Sequence, residues 1–463
     1  MMRNTGTRTT FLCRDCGHTS PKWNGRCPAC GAWGTITEFT EPKRPAGQRA
    51  PANRTAFAPV AAPAPLIEQP CSDGERVSTG LTEVDRLLGG GVVAGSVVLL
   101  AGDPGIGKST LLLQAAGSIA EATGPVLYVS GEESGAQVRL RAERLNVRSP
   151  AVHFSPETDS PTICSLLASE GPALLVVDSI QTLTSPDAPS SAGSVAQVRE
   201  CAQLLIGSAK QTGIPVVMTG HVTKDGNIAG PRVLEHMVDV VLAMEGEAVS
   251  SLRLLRCSKN RFGAANGVAL LEMRNEGLIE VRDPSALLVG ERDPGAPGSA
   301  VAVTMQGNRP LLCEVQALTN PSVFSPPRRT ATGVDFNRMA MLTAVLSRRT
   351  GIGIGSQDVM VNIPSGLHVA EPALDLAVAT AIASSFLDRP VHAGTVLVGE
   401  VGLNSEVRSV AHLERRLEEA ARHGFERALV PQAALRSLAA PSGIEVVGVS
   451  GIREAIAAAV PAR

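Results

Sequence analysis

The chain has 463 residues, of which 44% are hydrophobic, 19% charged and only 3% aromatic, so its buried cores must be aliphatic. At about 150 residues per domain, this length predicts about three domains. The formal net charge of −2 excludes a wholly basic DNA coat, and the scarcity of aromatic rings argues against base-stacking binders of the OB or RRM kind.

Charge is spread unevenly along the chain. The first 60 residues carry nine Lys or Arg and three Asp or Glu, a local net charge of +6 that leaves room for a localised nucleic-acid site. No run of 18 apolar residues exists, and the N-terminus lacks an apolar signal core. We therefore expect a cytoplasmic protein without membrane contact, whose cysteines stay reduced.

Four cysteines form two C-x-x-C pairs separated by ten residues in a short, Gly-rich stretch. Two such pairs suit tetrahedral Zn²⁺, and four thiolates close its coordination sphere, which predicts a structural site rather than a catalytic one. So small a unit depends on its metal for folding energy. The predicted ligands are Cys13, Cys16, Cys27 and Cys30. We assign residues 1–40 to this C4 zinc finger and residues 41–75, rich in Pro and Ala, to a linker.

Residues 76–284 alternate short apolar runs with helical patterns, which is typical of a parallel α/β sheet. Predicted strands cover residues 97–101, 126–130, 174–178, 215–219, 238–244 and 252–257. Predicted helices cover residues 109–120, 135–144, 194–211 and 233–236.

The first predicted strand runs into a GxxxxGK[ST] motif that opens an apolar helix, the context that a phosphate-binding loop requires. Backbone N–H groups of such a loop hold phosphate oxygens, and we expect Lys108 to reach the β- and γ-phosphates of ATP and Ser109 to hold Mg²⁺. The predicted nucleotide-binding residues are Gly102, Asp103, Pro104, Gly105, Ile106, Gly107, Lys108, Ser109 and Thr110.

Polar side chains end three further strands. Asp178 is placed to support Mg²⁺, with a turn-capping aspartate as the alternative. We favour Glu132 as the group that orients the attacking water, with Glu133 as the alternative; both could instead serve as an acidic pair at a helix N-terminus. His221 could sense the γ-phosphate, or could be a polar strand end without that role.

Two Gly/Ser-rich stretches, residues 182–194 and 222–232, follow strands and should emerge at the carboxyl edge of the sheet, where ligands bind. Lys224 and Arg232 supply positive charge for DNA phosphates. From composition alone, ordinary flexible loops are the favoured explanation of both stretches.

The chain resembles the bacterial RadA (Sms) family of RecA-superfamily ATPases. The resemblance rests on the cysteine finger, on the loop GDPGIGKST, on the segment YVSGEES and on Lys259-Asn260-Arg261-Phe262-Gly263. It implies a RecA-like core, ATP bound between neighbouring subunits of a homohexameric ring, and Lys259 and Arg261 acting as cationic fingers on the neighbour's γ-phosphate. It also implies that the two loops face a central channel and bind single-stranded DNA.

Residues 285–463 form a second α/β unit that is similar to the Lon protease domain. The resemblance places Ala373 where the Ser nucleophile would stand and Glu414 where the Lys base would stand, so proteolysis is not expected. We expect this unit to build the oligomer and to present Arg408, Arg415 and Arg416 on a basic surface for DNA or a partner.

The resemblance thus favours a DNA-dependent ATPase of recombinational repair. Such a motor would act on single-stranded and branched DNA, with the RecA strand-exchange protein as partner, and drive branch migration. The alternatives are a nucleotide-gated scaffold of the KaiC-like kind and, less favoured, an ATP-dependent protease.

Overall fold

The structure, a computed structural model, describes residues 9–13, 19–20, 22–28, 33–34, 36–40, 76–188, 190–221, 233–246, 251–364 and 367–461. Near the N-terminus, three short antiparallel strands lie in the order β2-β1-β3: β1 (Thr9–Cys13), β2 (Thr19–Ser20) and β3 (Ile36–Thr40). Cys27 and Ile36 are buried there, with Phe11 packed against them.

The central unit is a nine-stranded sheet with helices on both faces. Its elements are β4 (Arg76–Val77), α1 (Thr82–Leu88), β5 (Val92–Val93), β6 (Val97–Gly102), α2 (Lys108–Ala122), β7 (Val126–Val129), α3 (Gly135–Arg144), β8 (Val152–Ser155), α4 (Ser160–Glu170), β9 (Leu174–Val177), α5 (Val195–Thr212), β10 (Val216–His221), α6 (Val233–Met237), β11 (Val240–Glu245), β12 (Leu252–Asn260), β13 (Val268–Arg274) and β14 (Gly277–Glu280). The strand order is β14-β13-β12-β11-β6-β10-β9-β7-β8, and β4 pairs with β5 in a separate two-stranded sheet.

Six neighbouring strands, from β11 to β8, are parallel, whereas β12, β13 and β14 are antiparallel additions at one side. Every residue of β6, β7 and β9 is buried, as expected for parallel strands covered on both faces. The aliphatic side chains of α2 fill one face and those of α5 fill the other. Because the parallel strands share one direction, their carboxyl ends meet at one edge of the sheet.

The predicted central strands and helices are confirmed, with ends that shift by at most three residues. The sequence interpretation did not include β4, α1, β5, β8, α4, β13 or β14. None of the four residues of β8 is fully buried, and α4 buries only Ser160, Ile163 and Leu167, so neither element has a strong apolar pattern.

The C-terminal unit is a second α/β layer. Its elements are α7 (Pro284–Val289), β15 (Ser299–Gln306), β16 (Arg309–Pro321), β17 (Arg329–Thr332), α8 (Phe336–Val345), β18 (Gln357–Asn362), α9 (Asp375–Leu387), β19 (Thr395–Leu397), β20 (Glu400–Val401), β21 (Val407–Arg408), α10 (Leu413–Arg422), β22 (Arg427–Pro431), β23 (Glu445–Val449) and α11 (Ile452–Ala459). Seven strands form one sheet in the order β17-β18-β16-β15-β19-β22-β23, and β20 pairs with β21. Arg309 pairs with Glu83 and so ties this unit to the central one.

One basic residue expected on the surface of the C-terminal unit is buried instead. Arg416 on α10 has no exposed side-chain surface; its guanidinium pairs with Glu371 and donates hydrogen bonds to the carbonyl oxygens of Val303 and Ala411. The prediction that Arg416 belongs to a basic surface was therefore wrong. The exposed Arg408 and Arg415 fit that prediction.

We expect Arg416→Met to destabilise the packing of α10 by about 3–5 kcal/mol, because breaking a buried pair leaves the Glu371 charge without its partner. Arg415→Met, one position away and exposed, should change stability by less than about 0.5 kcal/mol. Hydrogen–deuterium exchange of the α10 amides measures both effects. Equal protection of α10 in the two variants would contradict the structural role of the pair.

Candidate nucleotide site

The predicted phosphate loop connects β6 to α2 at the carboxyl edge of the central sheet. Gly105 and Gly107 have φ values of 78° and 119°, which favour glycine. A Cβ at Gly107 would lie 2.7 Å from Cε of Met273 on β13, so a side chain there would displace the end of that methionine. Asp103, Pro104 and Gly105 are exposed, whereas Ile106 is buried in the core beneath the loop.

Lys108, the first residue of α2, is 5% exposed and turns back over the loop. Its ammonium donates hydrogen bonds to the carbonyl oxygens of Gly102 and Asp103, both at 2.9 Å. Burial lowers the pKa of Lys108, and the carboxylates of Asp178, Glu132 and Asp103 oppose this shift. The Lys108 ammonium therefore faces several carboxylates.

Asp178 follows β9 at the same edge and is buried. Tyr128 donates a 2.8 Å hydrogen bond to its Oδ2, and Thr219 donates a 2.7 Å hydrogen bond to its Oδ1. These two hydroxyls, from β7 and β10, fix the carboxylate. Asp178 and the half-buried hydroxyl-bearing Ser109 provide the oxygen ligands that Mg²⁺ prefers.

The two candidate glutamates have different environments. Glu132 accepts a hydrogen bond from the hydroxyl of Ser179, and its Oε1 lies 3.3 Å from Nε2 of His221. Glu133 instead forms a bidentate pair with Arg141, at 2.5 and 2.6 Å. Glu132 is therefore the carboxylate directed toward the phosphate loop.

His221, the last residue of β10, connects the two charges of the site. Its Nδ1 lies 3.3 Å from Nζ of Lys108, while its Nε2 faces Glu132. A neutral ring with its proton on Nε2 fits this arrangement, since it accepts from the ammonium and donates to the carboxylate. His221 thus lies between Lys108 and Glu132, the group expected to orient water, and its role as a γ-phosphate sensor stays a prediction.

Lys259 and Arg261 lie away from the phosphate loop of their own chain. Because β12 runs antiparallel to β11, Lys259 is level with Leu99, about 10 Å below Gly102 along the strand direction at about 3.3 Å per residue. Its ammonium donates to three carbonyl oxygens at the end of α6 and just beyond it: Glu235 at 2.8 Å, His236 at 3.3 Å and Val238 at 2.7 Å.

Arg261 lies still nearer the amino edge of the sheet. Its guanidinium donates a 2.9 Å hydrogen bond to Asp239, whose carboxylate also accepts from the backbone N–H of Val97, the first residue of β6. Both cations thus lie at or toward the edge opposite the phosphate loop.

The two predicted DNA loops differ in what the structure describes. Residues 222–232, with Lys224 and Arg232, lie outside the described residues. In the stretch 182–194, the buried amide of Gln197 accepts from the N–H of Ser185 and donates to the carbonyl oxygens of Ser185, Ala188 and Ser190. This stretch is folded onto α5 at the carboxyl edge.

The structure describes only two of the four predicted zinc ligands. Cys13 ends β1 and Cys27 is buried, whereas Cys16 and Cys30 lie outside the described residues. In the part of the chain that the structure describes, no helix is long and apolar enough to cross a membrane.

Comparison with known proteins places these parts in families. Residues 63–227 match the AAA domain family, residues 11–38 match the rubredoxin metal-binding domain family, and residues 330–434 match subunit ChlI of Mg-chelatase. A crystal structure of the RadB recombinase aligns with 44% of the chain and 100% of its own, at 23% identity and a TM-score of 0.37.

The chain is 48% identical over 450 residues to DNA repair protein RadA of Bacillus subtilis, with 97% of this chain and 98% of the relative covered. It is 45% identical over 454 residues to DNA repair protein RadA of Listeria monocytogenes, with 98% of each covered. The chain belongs to the RadA family of DNA repair proteins.

RadA membership confirms the resemblance, the α/β fold with a RecA-like ATPase core, and the ATP hydrolase activity. The match at residues 11–38 supports a zinc ribbon at the N-terminus of this RadA-family chain.

The Lon-like nature of the C-terminal unit stays a prediction. Ala373 is buried in the same aliphatic cluster as Leu413 and Leu417, and Glu414 is exposed.

The sequence did not reveal the partners that orient the site. Tyr128 and Thr219 hold Asp178, Ser179 contacts Glu132, and Arg141 binds Glu133. The only signal in the sequence was the continuous apolar run around each of these residues, which predicts that Tyr128 and Thr219 are buried but does not identify their contacts.

We expect Glu132→Gln to lower kcat about 10²–10⁴-fold while ATP binding persists, because the carboxylate directed at the loop is lost. Glu133→Gln is the matched control and should leave kcat within about threefold, since this carboxylate is held by Arg141 in a partly exposed pair of small energetic weight. Steady-state ATP hydrolysis and binding of a fluorescent ADP analogue measure both variants. The reverse ranking of the two would assign the role to Glu133.

Proposed function

We propose that this RadA-family chain is a DNA-dependent ATPase that binds single-stranded and branched DNA. Hydrolysis then drives branch migration and processing of RecA-made strand-exchange intermediates. One observation carries the motor part of the proposal: the phosphate loop lies at one edge of a sheet, and the cations Lys259 and Arg261 lie toward the other. A hydrolytic site that uses both needs a second subunit, which supports a homohexameric ring of the kind that the RadA resemblance implies.

Within one subunit, the phosphate end of the nucleotide site is preorganised. Lys108 and the backbone N–H groups at the start of α2 bind the phosphates of ATP. Ser109 and Asp178 would hold Mg²⁺, which neutralises phosphate charge when it is bound. Glu132 orients the attacking water. His221 contacts both Glu132 and Lys108 and so fixes their positions relative to each other.

Across the subunit boundary, Lys259 and Arg261 complete the site of the neighbour. Cations supplied in this way to related NTPases are worth about 10³–10⁵ in rate. In the structure, the Lys259 ammonium lies on the carbonyl oxygens at the end of α6. To reach a neighbouring phosphate it must leave those oxygens, so movement of Lys259 and of α6 is linked. Because α6 directly follows residues 222–232, this link joins nucleotide state to the predicted DNA loop.

Two features support DNA as the substrate of the motor. The stretch 182–194 lies at the same edge as the phosphate loop, and Lys224 and Arg232 add positive charge to the second loop. With 3% aromatic residues, contact through phosphates and backbone amides predicts little base preference. The zinc ribbon, on its Pro/Ala-rich tether, is the proposed contact to RecA or to forked DNA.

We expect single-stranded DNA to stimulate ATP hydrolysis by the native chain, and Lys259→Ala to lose that stimulated hydrolysis while it still binds ATP. Hydrolysis with and without DNA, together with a binding titration, separates the two effects. An ATP hydrolysis rate that single-stranded DNA does not change would favour the KaiC-like scaffold. Normal DNA-stimulated hydrolysis by Lys259→Ala would reject the role of Lys259 as a cationic finger.

We expect Cys27→Ser to lower the zinc content from one ion per chain to near zero, because tetrahedral thiolate coordination loses one of its four ligands. Cys164→Ser, a half-buried cysteine on α4, is the matched control and should retain the metal. Elemental analysis of the purified variants measures this. Equal zinc in both variants, or none in the native chain, would contradict the assignment.

A further inference from the structure

Arg253 is a buried cation next to the phosphate loop that the roles above do not use. It is the second residue of β12 and is 7% exposed. In the strand register, Leu254 pairs with Glu245, and Met244 pairs with Gly102 of β6, so Arg253 lies beyond the end of β11 on the loop side of the sheet. It therefore lies at the opposite end of β12 from Lys259.

The Arg253 side chain reaches the loop backbone. Its Nε donates a 3.0 Å hydrogen bond to the carbonyl oxygen of Ile106, and its Nη1 donates a 2.8 Å hydrogen bond to the carbonyl oxygen of Leu252. Gly246 leaves the space that the side chain occupies, because a Cβ there would lie 2.9 Å from Cδ of Arg253. The guanidinium is thus buried directly beside the phosphate loop, with its position fixed by these backbone contacts.

The contact to Ile106 fixes the direction of one phosphate-facing donor. In a planar trans peptide, the C=O of Ile106 and the N–H of Gly107 point in opposite directions. Holding the oxygen toward Arg253 therefore turns the Gly107 N–H toward the open side of the loop. That N–H belongs to the set that binds phosphate in GxxxxGK[ST] loops. Since Gly107 tolerates many backbone conformations, this peptide would turn over easily without an external contact.

We propose that Arg253 is a positioning residue that locks the Ile106–Gly107 peptide in the orientation that binds nucleotide phosphate. A charged donor strengthens this hydrogen bond, and burial away from water strengthens it further. The inference rests on the nucleotide-site part of the proposed function and not on its DNA part. Ile106 is anchored twice, by its side chain in the core and by its carbonyl oxygen on Arg253.

Nucleotide affinity of the full-length chain tests the proposal. A fluorescent ADP analogue with Mg²⁺ should bind Arg253→Met about 10- to 100-fold more weakly than the native chain, as expected for loss of a charged hydrogen bond that orders the site. KM for ATP should rise in parallel, while kcat should fall by less than about threefold, because Lys108, Glu132 and His221 remain in place.

Arg256→Met is the matched control. Arg256 lies on the same strand but contacts Glu245 and Gln306 instead of the loop, so its removal should leave the Kd for ADP within about twofold. Unchanged ADP affinity in Arg253→Met, or an equal loss in both variants, would overturn the proposal. Loss of DNA stimulation with native ADP affinity would contradict the DNA part of the proposed function and not this inference.

A purely structural role of Arg253 would lower the fraction of folded chains, and hence kcat and the binding stoichiometry, but not the affinity of the folded molecules. If Arg253→Met does not fold, the Kd for ADP of Arg253→Lys tests the positioning role instead, because this variant keeps the charge but lacks the Nε donor. We expect its Kd for ADP to rise about three- to tenfold. A native Kd in Arg253→Lys would then reject the positioning role.

Discussion

The change of strand direction between β11 and β12 determines what one subunit of this protein can do. Parallel strands bring the phosphate loop, Asp178 and His221 to one edge of the sheet. The antiparallel β12 then carries the chain back, so that Lys259 and Arg261 lie at or toward the other edge. No rotation of these side chains spans that separation. If Lys259 and Arg261 act on a γ-phosphate, as proposed, that phosphate must belong to a neighbouring chain, and hydrolysis would then require an assembly.

The loop edge itself is organised by a small number of polar contacts. Lys108 binds loop carbonyl oxygens, His221 bridges it to Glu132, and two hydroxyls hold Asp178. Each group is oriented before nucleotide binds, which reduces the reorganisation that the transition state would otherwise require. The same strand that removes Lys259 from this edge contributes Arg253 to it. Under the proposed function, Arg253 at one end of β12 would support the nucleotide site of its own chain, and Lys259 near the other end would support that of the neighbour.

The sequence predicted the parts of this site that are local in the chain. The GxxxxGK[ST] motif and its flanking apolar strand and helix are contiguous, so loop, Lys108 and Ser109 followed directly. Strand-end polar residues identified Asp178, Glu132 and His221, but Glu132 and Glu133 could be distinguished only once Arg141, eight residues further on, was seen to bind Glu133. The hydrogen bond from Arg253 to Ile106 joins residues 147 positions apart, and no sequence pattern predicts such a contact.

The prediction that Arg416 lies on a basic surface was wrong because its side chain is buried. Arg416 lies on a strongly amphipathic helix, where a basic residue is ordinarily solvated, and its burial depends on Glu371 from a distant turn. The edge strand β8 and α4 bury few side chains and so lack a strong apolar pattern, whereas β13 was missed although its first four residues are buried.

Mixing two inactive variants tests the shared site most directly. Lys108→Ala chains keep their cationic fingers and lose the loop cation, whereas Lys259→Ala chains keep the loop and lose a finger. If neighbours complete each other's sites, a random equal mixture that is dissociated and reassembled contains about one quarter intact interfaces and recovers ATP hydrolysis in proportion. If Lys259 acts only within its own chain, no mixing ratio restores hydrolysis, and the account is wrong.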